Sequence, residues 1–256
     1  MSLFVTTRGS GAHHFVALHG WGADHRAFAP VVRRMPTDVT LHLIDQPGCG
    51  QSVAPDAWTV DSIAEPIVRY IDSLPTERAT IVGACSGAVV GLFAALARPN
   101  RLERLVLIDP FLEAPWYFAL FTWPIVGRLF YRSSFGNDLG RRITNSFVRQ
   151  NRRSDMTGGF ARVHHDRALR YLRALVTAER PEAEALRRLD GRVDIAVGQN
   201  TFGVVRRSVA EFVELYWPST AVTVVDGAGH LPLLEAPRAV ADRVLWPTDQ
   251  RQRRAS

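Results

Sequence analysis

Short runs of valine, isoleucine and leucine recur along this chain, each ending close to a glycine or an aspartate. They read FVALHG (15–20), LHLIDQPG (41–48), ATIVGA (79–84), RLVLIDP (104–110), VDIAVGQ (193–199) and VTVVDGAG (222–229). Continuous apolar runs of this length suit strands buried on both faces of a parallel sheet. Stretches with helical spacing separate them. Residues 60–74 place Ile63, Ile67, Tyr70, Ile71 and Leu74 on one stripe, and residues 86–97 and 236–245 behave similarly. Strands alternating with helices predict an α/β fold, a mostly parallel sheet flanked by helices with right-handed crossovers. Ahead of this pattern, LFVTT and HHFVALHG flank RGSGA, which predicts a hairpin turn.

The alternation breaks once. Between Asp109 and about Arg192 the sequence is helical and aromatic, opening with Phe111, Trp116, Tyr117, Phe118, Phe121 and Trp123. This predicts a helical cap over residues 111–190, inserted into a core made of residues 1–110 and 191–256. Trp116, Tyr117, Phe121 and Trp123 are candidates for the apolar walls of a substrate pocket, or for packing within the cap itself. Residues 247–256 read as a polar tail.

Charge narrows the partners. The formal net charge is +6, and every one of the 31 basic residues counted as lysine or arginine is arginine. They are scattered, with no recognition helix and no aromatic platform for bases, so a nucleic-acid partner is not expected. The longest apolar stretch, APWYFALFTWPIVGRLF, carries two prolines and is short for a bilayer span, so no transmembrane segment is expected. The N-terminal MSLFVTTRGSGAHH lacks a basic stretch followed by an apolar run, and two cysteines make no disulfide framework. A cytoplasmic location is the expectation.

Four stretches carry candidate chemistry: HGWG (19–22), DQPGCGQS (45–52), GACSG (83–87) and GAGHLPLLEAPRAVADRV (227–244). In this order and spacing they resemble the α/β-hydrolase superfamily, and the resemblance covers most of the chain outside the cap. It implies a nucleophile elbow at GACSG, an oxyanion-hole loop at HGWG and a catalytic histidine at His230. An elbow is a sharp, strained strand-to-helix turn that needs small residues two before and two after its tip. Centred on Cys85 those neighbours are Gly83 and Gly87; centred on Ser86 they are the bulkier Ala84 and Ala88. In the family a proline commonly follows the nucleophile by fourteen residues, and Pro99 matches Cys85 in that register. The nucleophile position is therefore Cys85, with Ser86 supplying a backbone N–H. An imidazole beside a thiol favours a reactive thiolate.

The third member departs from the family pattern. The usual acid follows the strand at 193–198, but that position reads Gly198, Gln199, Asn200, Thr201, without a carboxylate. Some branches of the superfamily place the acid one strand earlier, where LVLIDP offers Asp109. An aspartate ending a strand also commonly caps the next segment. Asp109 is preferred as the acid that orients His230, with Asn200 in reserve. The resemblance further implies an oxyanion hole from the N–H groups of Trp21 and Ser86, each worth about 3 kcal/mol at the transition state. His19 is expected to brace its loop and Cys49 to be structural. The adjacent pair His164–His165 makes a poor metal site. No metal motif, dinucleotide glycine pattern or phosphate loop appears, so no cofactor is expected.

A thiolate suits activated acyl carbons: thioesters, activated esters and lactones. The expected function is a cysteine-dependent hydrolase with a small, apolar acyl substrate, free or bound to a carrier protein. Two alternatives stand beside it. One is a polyketide-type tailoring enzyme that eliminates, cyclises or transfers an acyl group on the same residues; the other is a non-catalytic ligand-binding relative.

Overall fold

The computed structural model describes residues 2–148 and 155–247, so most of the polar tail lies outside the described residues. Its strands are β1 (Phe4–Arg8), β2 (His13–Leu18), β3 (Val39–Asp45), β4 (Ala79–Ala84), β5 (Leu102–Ile108), β6 (Val193–Gly198) and β7 (Val222–Val225). The longer helices are α1 (Val60–Asp72), α2 (Ser86–Ala97), α3 (Val126–Phe135), α4 (Asp138–Val148), α5 (His165–Val176) and α6 (Gly203–Tyr216). The strands form a seven-stranded sheet in the order β1-β3-β2-β4-β5-β6-β7. Only the β1–β3 pair is antiparallel. Each apolar run of the sequence is thus a strand, and the α/β expectation is met.

Side-chain alternation along the strands sorts the core into two layers. Val16, Leu18, Ile81, Leu105 and Leu107 face one side with Ile63 and Ile67 of α1, Val90 of α2 and Phe212 of α6. Phe15, Ala17, Val82, Val106 and Ile108 face the other, against Phe28, Val31, Val244 and Trp246. Burial on both faces explains why these strands read as unbroken apolar runs.

One expectation needs correction and another a refinement. RGSGA does not close a hairpin: β1 pairs with β3, Phe4 opposite Asp45, and β2 lies on the far side of β3. The half-exposed residues of β1 suit an edge, whereas the fully buried Phe15–Leu18 need neighbours on both sides. The stripe at 236–245 is helical over 237–245 but not uniform: an α turn at Pro237–Val240 runs directly into a wider turn at Ala241–Leu245. Pro237 lacks the N–H that would join this stretch to the preceding turn, Pro232–Glu235.

Between β5 and β6 the described residues form α3, α4, α5 and shorter turns, with no strand. They build their own apolar cluster from Phe121, Tyr131, Phe135, Phe160, Leu169 and Leu172. Trp21, from the loop after β2, inserts into it, 4.6 Å from the ring of Phe160 and 5.1 Å from that of Phe135. No helix among the described residues is long and apolar enough to cross a membrane.

The turn from β4 into α2 is crowded. A Cβ on Gly83 would lie 2.4 Å from Ala88 Cα, and one on Gly87 would lie 2.3 Å from the His19 carbonyl oxygen. Gly83→Ala should therefore lower stability by about 2 kcal/mol through overpacking. Gly203→Ala, where nothing lies within 4 Å, should leave stability unchanged. Urea melts of the two variants check both.

Candidate active site

Cys85 directly follows β4, with φ 53° and ψ −120°, and α2 begins at the next residue. Asp109 directly follows the neighbouring β5, with φ 48°. Among the described residues these are the non-glycine positions with positive φ. Such backbone costs of order 1–3 kcal/mol and persists only where surroundings enforce it. Here the sheet does so: the Cys85 N–H donates to the Ile108 carbonyl at 2.9 Å, and the Asp109 N–H to the Ala196 carbonyl at 2.7 Å.

The loop after β7 brings His230 between these two strand ends. Its Nδ1 lies 2.5 Å from Asp109 Oδ2 and its Nε2 3.1 Å from Cys85 Sγ. A carboxylate only accepts, so Nδ1 carries its hydrogen and Nε2 faces the sulfur. Asp109 is itself held: Oδ1 accepts from the Gly198 N–H at 2.7 Å and Oδ2 from the Thr201 hydroxyl at 2.5 Å. The rings of Phe111 and Phe202 flank the imidazole at 4.7 and 5.2 Å, and His230 is buried. Burial opposes the imidazolium most strongly. The charge of Cys85, the hydrogen bonds from Asp109 and Cys85 and the Asp109 charge together outweigh it and raise the His230 pKa to about 10.

The structure brings Asp109 and His230 to Cys85. Asn200 does not join them: its side chain is exposed and its backbone N–H donates to the Ala228 carbonyl at 2.8 Å. Sequence reasoning missed Thr201, which follows the vacant acid position and braces the acid from the neighbouring strand. A hydroxyl residue beside a missing carboxylate was its only signal.

The loop of residues 19–22 passes directly beside the sulfur, since a Cβ on Gly20 would lie 3.5 Å from Cys85 Sγ. The backbone N–H groups of Trp21 and Ser86 have no acceptor among the described residues. His19 braces this loop as its position implied: Nδ1 donates to the Gly20 carbonyl at 2.9 Å, and Nε2 accepts from the Gln46 N–H at 3.2 Å. Burial lowers the His19 pKa and keeps the ring neutral. Cys49, by contrast with Cys85, has no imidazole partner among its hydrogen bonds; burial first, then the charge of Asp45, pushes its thiol up to about 12. Asp24, His25 and Asp45 gather donor atoms within 4.8 Å of one another. Their groups are engaged, Asp24 with Arg26 and Asp45 with the N–H and ring of His25 and the N–H of Gln51.

Above Cys85 lies a cavity of about 500 Å³. Trp21, Phe111, Phe118, Phe202, Leu172 and Val176 supply apolar wall, and Cys85, Ser86 and His230 line it where the three strand loops meet. Of the four aromatics expected at the pocket, Tyr117 lines it and the other three do not. Phe121 is buried against Trp21, while Trp116 and Trp123 are 84% and 55% exposed. Residues 116–122 form a 3₁₀ turn, in which positions three apart share a face. Phe118 and Phe121 therefore turn inward together and Trp116 turns out. At one end of the cavity Arg180 pairs with Glu113 and, at 3.1 Å, with Glu211.

A cavity at the carboxyl ends of parallel strands, floored by a strained strand-to-helix turn, lies where a parallel α/β sheet places its ligand site, and with the matches that follow the class is an enzyme of the hydrolase type. The sequence profile of the alpha/beta hydrolase fold matches residues 13–237, and the chain belongs to that family. It is 28% identical over 257 residues to a pimeloyl-[acyl-carrier protein] methyl ester esterase of Cronobacter sakazakii, covering 93% of this chain and 94% of that one. The corresponding esterase of Klebsiella pneumoniae is 26% identical over 93% of this chain and 95% of its own. Among solved structures, a thermophilic esterase from Thermogutta terrifontis superposes with a TM-score of 0.75 at 18% identity, over 99% of this chain and 92% of that one. A hydrolase from Pseudomonas aeruginosa gives 0.74 at 18% identity, over 93% and 91%. Both likenesses concern the fold.

The charge of Cys85 is the largest influence raising the His230 pKa. Cys85→Ala removes it, leaving burial less opposed, so the imidazole should titrate at lower pH in the variant. NMR titration of the ring should find His230 still protonated at pH 8 in the wild type and releasing its proton earlier in Cys85→Ala.

Proposed function

We propose that the protein is a cysteine-dependent acyl hydrolase in which Cys85 is the nucleophile, His230 the acid–base group and Asp109 its orienting acid. The observation that carries this reading is the imidazole with its two nitrogens 2.5 Å from Asp109 and 3.1 Å from Cys85 at the floor of an apolar cavity. A non-catalytic binder has no need of two strained residues that aim a sulfur and a carboxylate at one buried histidine.

The chemistry follows from the geometry. With the thiol proton already on His230 Nε2, the Cys85 thiolate attacks the carbonyl carbon of the substrate. The carbonyl π electrons move to oxygen, and the resulting oxyanion is met by the N–H groups of Trp21 and Ser86. The tetrahedral intermediate collapses, the bond to the leaving alkoxide or thiolate breaks, and His230 returns the proton to that leaving group. The acyl group is then a thioester on Cys85. Water, losing a proton to His230, attacks it; the C–S bond breaks, the carboxylic acid departs and the thiol is restored. Asp109 keeps the Nδ1 hydrogen in place throughout.

The substrate class follows from the walls and from the relatives. An apolar cavity of about 500 Å³ accommodates a medium-length acyl chain. The relatives named above act on an acyl methyl ester carried by acyl-carrier protein. An acyl ester or thioester, free or carried on such a protein, is accordingly the proposed substrate. We further propose that residues 111–190 are the cap over the site and that residues 1–110 and 191–256 form the hydrolase core.

Cys85→Ala should reduce turnover of an acyl methyl ester or acyl thioester by about 10³-fold or more. Intact mass spectrometry of the wild type should detect an acyl adduct on Cys85 that the variant lacks. In ¹⁸O-labelled water the product acid should gain one labelled oxygen; an unlabelled cyclic or transferred product would instead mark a tailoring enzyme. Full turnover by Cys85→Ala would remove the sulfur from the reaction.

A further inference from the structure

Helix α5 reaches the oxyanion loop through a buried polar chain that the hydrolytic scheme leaves unused. The Tyr171 hydroxyl donates to Gln46 Oε1 at 2.8 Å, and Tyr171 is 1% exposed. Gln46 Nε2 donates to the main-chain carbonyl of His19 at 2.5 Å, and the Gln46 N–H donates to His19 Nε2 at 3.2 Å. The other ring nitrogen of His19 holds the Gly20 carbonyl at 2.9 Å, which also accepts from the Ala23 N–H at 3.2 Å.

The last link sets the direction of a catalytic donor. Peptide bonds among the described residues are all trans, and a trans peptide is planar with its C=O and N–H pointing opposite ways. The Gly20 carbonyl and the Trp21 N–H belong to one such plane. Two donors on the Gly20 oxygen therefore fix the Trp21 N–H in the opposite direction, where it stays free for substrate. Helix α5 anchors the same loop a second time, because the Trp21 indole N–H donates to the Ala168 carbonyl at 2.8 Å.

We infer that Tyr171 and Gln46 are positioning residues: through His19 they hold the Trp21 N–H in its oxyanion-binding orientation, coupling the helical segment to the chemical step. This rests on the proposed role of Cys85 as the acylated nucleophile. Every hydrogen-bonding group of the Gln46 amide has a defined role in the chain. Oε1 accepts from the phenol and Nε2 donates to His19, so the phenol selects one of the two amide orientations. Burial raises the Tyr171 pKa well above its ordinary value, which keeps the phenol a donor. The hydroxyl also lies within interaction range of Ser86 and Cys85, so a test must separate an effect on the sulfur from an effect on the oxyanion loop.

Two reactions of Cys85 make that separation. Acylation by p-nitrophenyl butanoate develops an oxyanion, whereas alkylation by iodoacetamide is a displacement at carbon that uses only the thiolate. Tyr171→Phe should slow acylation about tenfold, a partial loss of one oxyanion donor, with KM nearly unchanged. Its alkylation rate should stay within about twofold of wild type, and Gln46→Met should show the same split. Tyr171→Phe with wild-type acylation overturns the inference. So does a parallel fall of both rates, which would place the phenol's effect on the sulfur or on folding. Should Tyr171→Phe fail to fold, Gln46→Met decides by the same two rates. Wild-type protein that forms no acyl adduct on Cys85 sinks the hydrolytic reading itself, an outcome distinct from an adduct that forms equally fast in both proteins.

Discussion

One buried imidazole ties together three strand ends that are distant in sequence. A histidine removed from water is costly unless both ring nitrogens are partnered. Here the end of β5 supplies a carboxylate to one and the end of β4 a sulfur to the other. Both suppliers sit in strained backbone, and both strains are held by main-chain hydrogen bonds to the next strand in the sheet. The parallel sheet acts as a jig: its register places Cys85 and Asp109 side by side, and the imidazole only has to span the gap.

Trp21 performs the corresponding task above the sheet. Its indole is the centre around which Phe118, Phe121, Tyr131, Phe135 and Phe160 pack, and its backbone belongs to the loop beside Cys85. Edge-to-face aromatic contacts of this kind contribute about 0.5–1.5 kcal/mol each beyond the area they bury. The helical segment and the loop of residues 19–22 therefore share one hydrophobic cluster, and displacing the segment would disturb the surroundings of Cys85 directly. The two cysteines sit in different surroundings. Burial pushes the Cys49 thiol up to about 12, whereas Cys85 lies 3.1 Å from the His230 ring and lines the cavity.

Much of this was legible in the chain. Strands buried on both faces leave unbroken apolar runs, so β2 to β6 could be read off directly, and the edge strand β7 kept the same apolar pattern although Val222 and Val224 are exposed. The crowding between β4 and α2 explains why Gly83 and Gly87 flank the tip of the turn, and it places Cys85 rather than Ser86 at that tip on steric grounds. The vacant carboxylate at Asn200 pointed back to Asp109. Less could be said wherever a residue's direction depends on packing. Phe121, Trp116 and Trp123 look alike as aromatic residues, yet one is buried in a cluster and two face solvent. The pairing of β1 with β3 was hidden as well, because a glycine-rich connection suits a hairpin and an edge crossing equally.

By itself, the order of apolar, small and chemically active residues determined the α/β architecture, the sharp turn at Cys85 and the short set of groups available for chemistry. Those features follow from neighbouring residues, through strand periodicity and the steric limits of a tight turn. Which groups meet was decided only in three dimensions. Asp109 and His230 are separated by 121 positions, and Tyr171 and Gln46 by 125. No local preference carries such contacts; they exist because the sheet register and the docking of α5 bring the chain back upon itself.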